Sequence, residues 1–251
     1  GQPKVKDVSI TGEDEKAKLN ITFDRVVSKG SGNIELTISE EDFLIPTVLT
    51  ESEYNDISVK INELGTYYKP GLNGATKNND NTLTPDTSTK YILKFYINND
   101  GSIDEDADAD EDELNEIKNL PNLKSLFVNA GLNTVSIPMY SSAVSVTESS
   151  IIVDLTGEYK LPVKGAEYSI TIPAGAVKDS VGNSNDAYSP TEKLLAPGVE
   201  KPEIRIQKKG YTIDPSNSTK SADVDMPENA SMKISCRTPS AVIKYEANEE
   251  P

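Results

Sequence analysis

The chain has no histidine and no tryptophan, a single cysteine, and 25 lysines and arginines against 41 acids in 251 residues. Each shortage removes a class of function. Without histidine the usual general base is missing, and with it the Ser-His and Cys-His nucleophiles and the commonest transition-metal ligand. One cysteine forms neither an intrachain disulfide nor a multi-cysteine zinc site. Its place in the alternating run Ile234, Cys236, Thr238 reads as a buried, inert thiol. The net charge of −16 opposes binding to nucleic acid, which takes clustered cations, and to anionic membranes. No run approaches the ~20 apolar residues of a membrane-spanning helix. Aromatic residues make up 6% of the chain, which leaves few rings for stacking on sugars.

What the chain does have is alternation. Val5, Val8 and Ile10, then Ala17, Leu19, Ile21 and Phe23, then Ile34, Leu36 and Ile38 predict strands at 5–10, 17–23 and 34–38. A charged turn at 12–16 and a Gly/Ser loop at 28–32 separate them. Residues 166–183, AEYSITIPAGAVKDSVGN, place Ala166, Tyr168, Ile170 and Ile172 on one side of a strand. Pro173, Gly175 and Gly182 then take the chain out of the sheet. Further strands are predicted at 135–139, 143–146 and 149–155.

The middle is different. Thr50-Glu51-Ser52-Glu53 has capping-box spacing, and Tyr54, Ile57, Ile61 and Leu64 follow at helical intervals, so a helix is predicted over 51–64 with Gly65 as its stop. Residues 66–88 read as a long loop. Within it Tyr67 and Tyr68, beside Lys69 and Pro70, are candidates for stacking on a glycan or anchoring a protein partner, although adjacent residues of an extended chain face opposite ways. Tyr91, Leu93, Phe95 and Ile97 predict a strand.

Next, Asn98, Asp100, Gly101, Ile103 and Asp104 match part of an EF-hand loop, while Tyr96 and Ala107 stand where its first and last ligands belong. From Asp104 to Glu113 eight of ten residues are acids. Two readings stay open: a solvated acidic loop leading into a helix near 111–120, or a site for calcium or another hard cation. The candidate ligands of such a site are Asn98, Asp100, Asp104, Asp106 and Asp108. After Pro121, Leu123, Leu126, Phe127 and Ala130 predict a second short helix stopped by Gly131. Residues from about 40 to 135 therefore form an α/β segment with helices on one side of an antiparallel sheet. Residues 187–199 read as a proline-stiffened linker, and 202–206, 232–236 and 241–245 as three short strands.

Two stretches resemble known families. The run Tyr168-Ser169-Ile170-Thr171-Ile172-Pro173-Ala174-Gly175-Ala176-Val177-Lys178-Asp179 with Gly182-Asn183 is similar to the last strand and turn of bacterial Ig-like domains of S-layer and other cell-surface proteins. Leu19-Asn20-Ile21-Thr22-Phe23-Asp24 and Gly32-Asn33-Ile34-Glu35-Leu36 resemble early strands of the same domains. Residues 231–251 resemble the first half of the small Ig-like module at the C-terminus of chitobiases and β-hexosaminidases, with Lys244 where a second aromatic is usual.

The resemblances imply a mainly β protein. Residues 1–196 would form an Ig-like antiparallel β-sandwich carrying the insertion at about 40–135, and 197–251 a second small β-sandwich-like module. They imply a non-catalytic, exported bacterial protein at the cell surface, in the periplasm or anchored as an outer-membrane lipoprotein. Its role would be structural, adhesive or ligand-binding, with a protein or glycan as partner. The start at Gly1-Gln2-Pro3 reads as that of a trimmed, mature fragment. An accessory carbohydrate-binding part of a larger hydrolase is the alternative.

Overall fold

The computed structural model describes residues 1–71, 76–77, 83–84, 90–94, 96–105, 109–207 and 231–245. It is mainly β, with several antiparallel sheets. The chain falls into two compact units, each assembled from two separate segments: 1–43 with 131–200, and 44–130 with 201–251.

The first unit contains two four-stranded antiparallel sheets, an arrangement compatible with a β-sandwich. In one, the order is Val5–Thr11, Lys18–Phe23, Ser150–Asp154, Val144–Thr147. In the other it is Thr134–Pro138, Asn33–Ile38, Glu167–Thr171, Leu194–Leu195. The predicted alternation decides the register. Ile21 pairs with Ile151 and Leu19 with Val153, while Ile34 pairs with Ile137 and Leu36 with both Val135 and Ile170. All of these side chains are buried, so a slip of one residue would turn each set to water.

Two elements of this unit escape the sequence prediction. The loop expected at 28–32 begins with a strand, Val27–Lys29, which pairs with Val177–Asp179 in the turn after the Tyr168 strand. Gly30 follows because the two backbones touch: a Cβ there would meet the Gly175 carbonyl oxygen at 2.0 Å. The expected linker at 187–199 is packed structure instead. Tyr188 bridges Ile172, Leu194 pairs with Tyr168, and Ala196 is buried.

In the second unit the sheet is Val48–Thr50, Lys90–Leu93, Tyr68–Gly71. Pro70 fits because its strand lies at the edge. The helix over Glu51–Lys60 starts on the predicted capping box: Glu53 N donates to Thr50 Oγ1 (3.1 Å) and Thr50 N to Glu53 Oε2 (2.9 Å). It ends earlier than predicted. Ile61 is extended and buried, and a second short helix, Leu64–Tyr67, contains the supposed stop Gly65, where a Cβ would press on the Tyr54 hydroxyl at 3.0 Å. The helices Glu111–Ile117 and Leu123–Asn129 are close to prediction. The strand predicted over 91–97 stops at Leu93, and Phe95 lies outside the described residues.

At the C-terminal side Glu203–Gln207 pairs with Ser231–Ser235, and residues 241–245 form no strand. Residues 201–251 share a unit with 44–130; the small C-terminal module was expected over 197–251. Among the described residues no helix is long and apolar enough to cross a membrane.

Asp179 organises the 173–186 turn of the first unit. Its carboxylate accepts from the backbone of Val181 (3.1 Å) and Asn183 (2.8 Å) and from Asn183 Nδ2 (3.0 Å), and it lies 3.7 Å from Arg25. The Asn183 side chain first, with those backbone donors and Arg25, holds its pKa below the ordinary 3.8. A depressed acid stabilises the fold above its unfolded pKa and loses that contribution as pH falls through the folded one. The melting temperature should therefore fall from about pH 5 downward, and Asp179→Asn should flatten that fall. Melts of both proteins across this range check it.

Candidate functional site

The most concentrated polar cluster described in the second unit is built around Glu203, at the start of its strand. Its carboxylate accepts from Thr47 Oγ1 at 2.6 Å, from the Thr47 backbone N at 3.2 and 3.3 Å, and from Asn99 Nδ2 at 2.7 Å. Arg237 Nε lies 3.5 Å away. The side chains of Glu203 and Arg237 are only 12% and 19% exposed, so the charges meet in a poorly solvated place.

Asn99 is the second hub. Nδ2 also reaches Ile45 O (2.8 Å) and Thr47 Oγ1 (3.0 Å), Oδ1 accepts from Ser235 Oγ (3.0 Å), and Asn99 O accepts from Ile45 N (2.8 Å). One knot thus joins 45–47, the 98–101 turn and both C-terminal strands.

Beside it lies the segment read as a calcium loop. Asn98 begins a turn closed by Gly101 N to Asn98 O (2.9 Å), and Ile97 bridges Ile103. Gly101, with φ +77°, has its α-carbon so close to the Leu123–Asn129 helix that a Cβ would lie 2.4 Å from Lys124 N. Asn98 and Asp104 are brought together, but around an ammonium group: Lys233 Nζ is 2.6 Å from Asn98 Oδ1 and 3.1 Å from Asp104 Oδ2.

Asp100 turns instead to Ser102, accepting from its N (2.9 Å) and Oγ (2.5 Å). Burial pushes the Asp100 carboxyl up, and the Ser102 bonds with Lys124 and Lys233 nearby overcome it, so its pKa sits below 3.8. Asp106 and Asp108 lie outside the described residues. Among the described residues no group of three or more acids and cysteines gathers as a metal site. Part of the acidic run has a local role: Asp110 caps the next helix, accepting from Glu113 N (2.9 Å), and Glu111, Asp112 and Glu113 sit at its positive end.

Tyr67 and Tyr68, the candidate ligand-binding pair, are each 1% exposed. Alternation fails between them because Tyr67 closes a helix and Tyr68 opens a strand, so both rings enter the core. Tyr68 donates to Pro46 O at 2.6 Å, and burial, with the Glu203 charge, pushes its hydroxyl well above pKa 10. Neither ring is presented to a glycan or protein partner.

In the first unit, a hollow beside Ile10, Ala17, Leu155, Leu161 and Ala196 holds about 30 Å³. That is room for a water, well short of the ~300 Å³ of a small-molecule pocket.

Thr47, Asn99, Glu203, Lys233, Ser235 and Arg237 carry no local signal in the sequence. Glu203 and Lys233 read as the solvent faces of alternating strands, and their partners lie 156 and 129 residues away. Compared with protein-family models, curated proteins and solved structures, the chain matches none of them.

Chemically the cluster neutralises charge and satisfies donors, so its removal should register as lost stability. Glu203→Ala leaves Thr47, Asn99 and Arg237 facing a void and should cost about 2–5 kcal/mol in urea unfolding. Glu203→Gln, which keeps an acceptor oxygen, should cost less than Glu203→Ala.

Proposed function

We propose that the chain is a non-catalytic module of an exported bacterial protein, held at the cell surface or in the periplasm, whose Ig-like scaffold carries the 44–130 segment as its presenting element. The observation that supports this best is Tyr168. This ring is fully buried at the start of its strand, and its hydroxyl donates to Val163 O (2.7 Å) and accepts from Val163 N (3.0 Å), five residues upstream. A buried tyrosine tied back to the preceding backbone is a corner found in Ig-like sandwiches. Sheet pairing adds support, because Asn33–Ile38 lies between Thr134–Pro138 and Glu167–Thr171, segments far away in sequence. Such scaffolds take ligands on loops and inserted segments while the sheets hold them in place.

The reading is tested by fractionating cells that make the protein. It should appear in the envelope or secreted fraction, and an antibody or an impermeant biotin reagent should reach it without cell lysis, or after outer-membrane permeabilisation for a periplasmic protein. A purely cytosolic distribution would sink it. The purified chain should also turn over no chromogenic glycoside, ester or peptide. Turnover that co-purifies with it and disappears on a point substitution in this chain would contradict the non-catalytic part.

A further inference from the structure

We propose that Lys233 and Asn98 are a site of covalent self-modification, an amide bond between the lysine Nζ and the asparagine side-chain carbon. The observation is geometric. The amine lies 2.6 Å from Asn98 Oδ1, closer than its 3.1 Å to the Asp104 carboxylate, so the nearest acceptor is a carboxamide rather than an acid. A hydrogen-bond distance to an amide oxygen sets the nitrogen roughly 3–3.5 Å from the carbonyl carbon, which is near-attack range.

The carboxamide is held for this. Asn98 Nδ2 donates to Ser102 Oγ (3.1 Å), Asn98 N donates to Ser102 O (2.8 Å), and the turn is closed by Gly101 N. The third group is a carboxylate withdrawn from water: the Asp104 side chain is 4% exposed, and its backbone N donates to Tyr96 O (2.8 Å). Asp104 Oδ2, 3.1 Å from the amine, is within reach to accept one of its protons.

The step balances within these three residues and water. Asp104 takes a proton from the lysine ammonium, and the neutral Nζ attacks Asn98 Cγ. As the new C–N bond forms, the surplus proton of the attacking nitrogen moves to Nδ2, the Cγ–Nδ2 bond breaks to release ammonia, and Asp104 returns to that ammonia the proton it took. Ammonia departs as ammonium, carrying the charge that lysine gave up, and Asp104 ends as a carboxylate. No oxidant, nucleotide or metal is consumed. The product would replace a hydrogen bond and an ion pair with a covalent tie across 135 residues of sequence. The inference does not rest on the export reading.

The test is the intact mass of the full chain under denaturing conditions, followed by peptide mapping. The expected result is a chain lighter than its sequence by one ammonia, with a branched peptide joining Asn98 to Lys233. Lys233→Arg and Asn98→Ala should each return the full sequence mass, and Asp104→Asn should slow or stop the loss. A wild-type chain at full mass, still so after days at 37 °C, overturns the proposal, and it does so whether or not the variants fold. An ammonia loss without the branched peptide overturns it too, because asparagine cyclisation elsewhere gives the same mass.

Discussion

The carboxylate of Glu203 is the point on which the second unit turns. A charge at 12% exposure is expensive unless donors replace its water, and here a backbone amide, a hydroxyl, a carboxamide and a guanidinium surround it. Those donors come from 47, 99 and 237. Satisfying the charge therefore requires the C-terminal strands to be seated against residues 45–101. Apolar burial supplies the bulk of the stability in Ile45, Leu49, Leu64, Leu93, Leu123 and Phe127, but it is non-directional. The polar knot fixes which segment closes the unit.

The first unit obeys a different constraint. Thr37 and Thr134 are paired neighbours whose hydroxyls lie 3.0 Å apart, although 97 residues separate them. The chain must leave this sheet and return to the same place, so the residues between belong to a separate unit. That excursion splits the first unit in two, and the second is split in turn because 201–251 belongs with 44–130.

Legibility followed range. Alternating strands such as 18–23, 33–38 and 167–171 were readable because one buried face imposes a period of two, and the Thr50 helix start because capping is a contact over three residues. What failed was whatever a distant partner decides. Val27–Lys29 is a strand only because Val177–Asp179 returns to it, and 187–199 is packed only because Tyr168 and Ile172 accept it. Tyr67 and Tyr68 broke the alternation rule at a helix-to-strand junction. The calcium-like spacing at 98–104 was visible, but the ammonium beside it arrives from Lys233, far beyond any local pattern.

The most direct measurement is hydrogen exchange read by mass spectrometry on the full chain and on one ending at Glu200. If the C-terminal strands complete the second unit, peptides from 44–130 should lose protection in the shortened chain, while those from 1–43 and 131–200 keep theirs. Undiminished protection across 44–130 would show that this segment closes its own core, and would contradict the part assigned to Glu203.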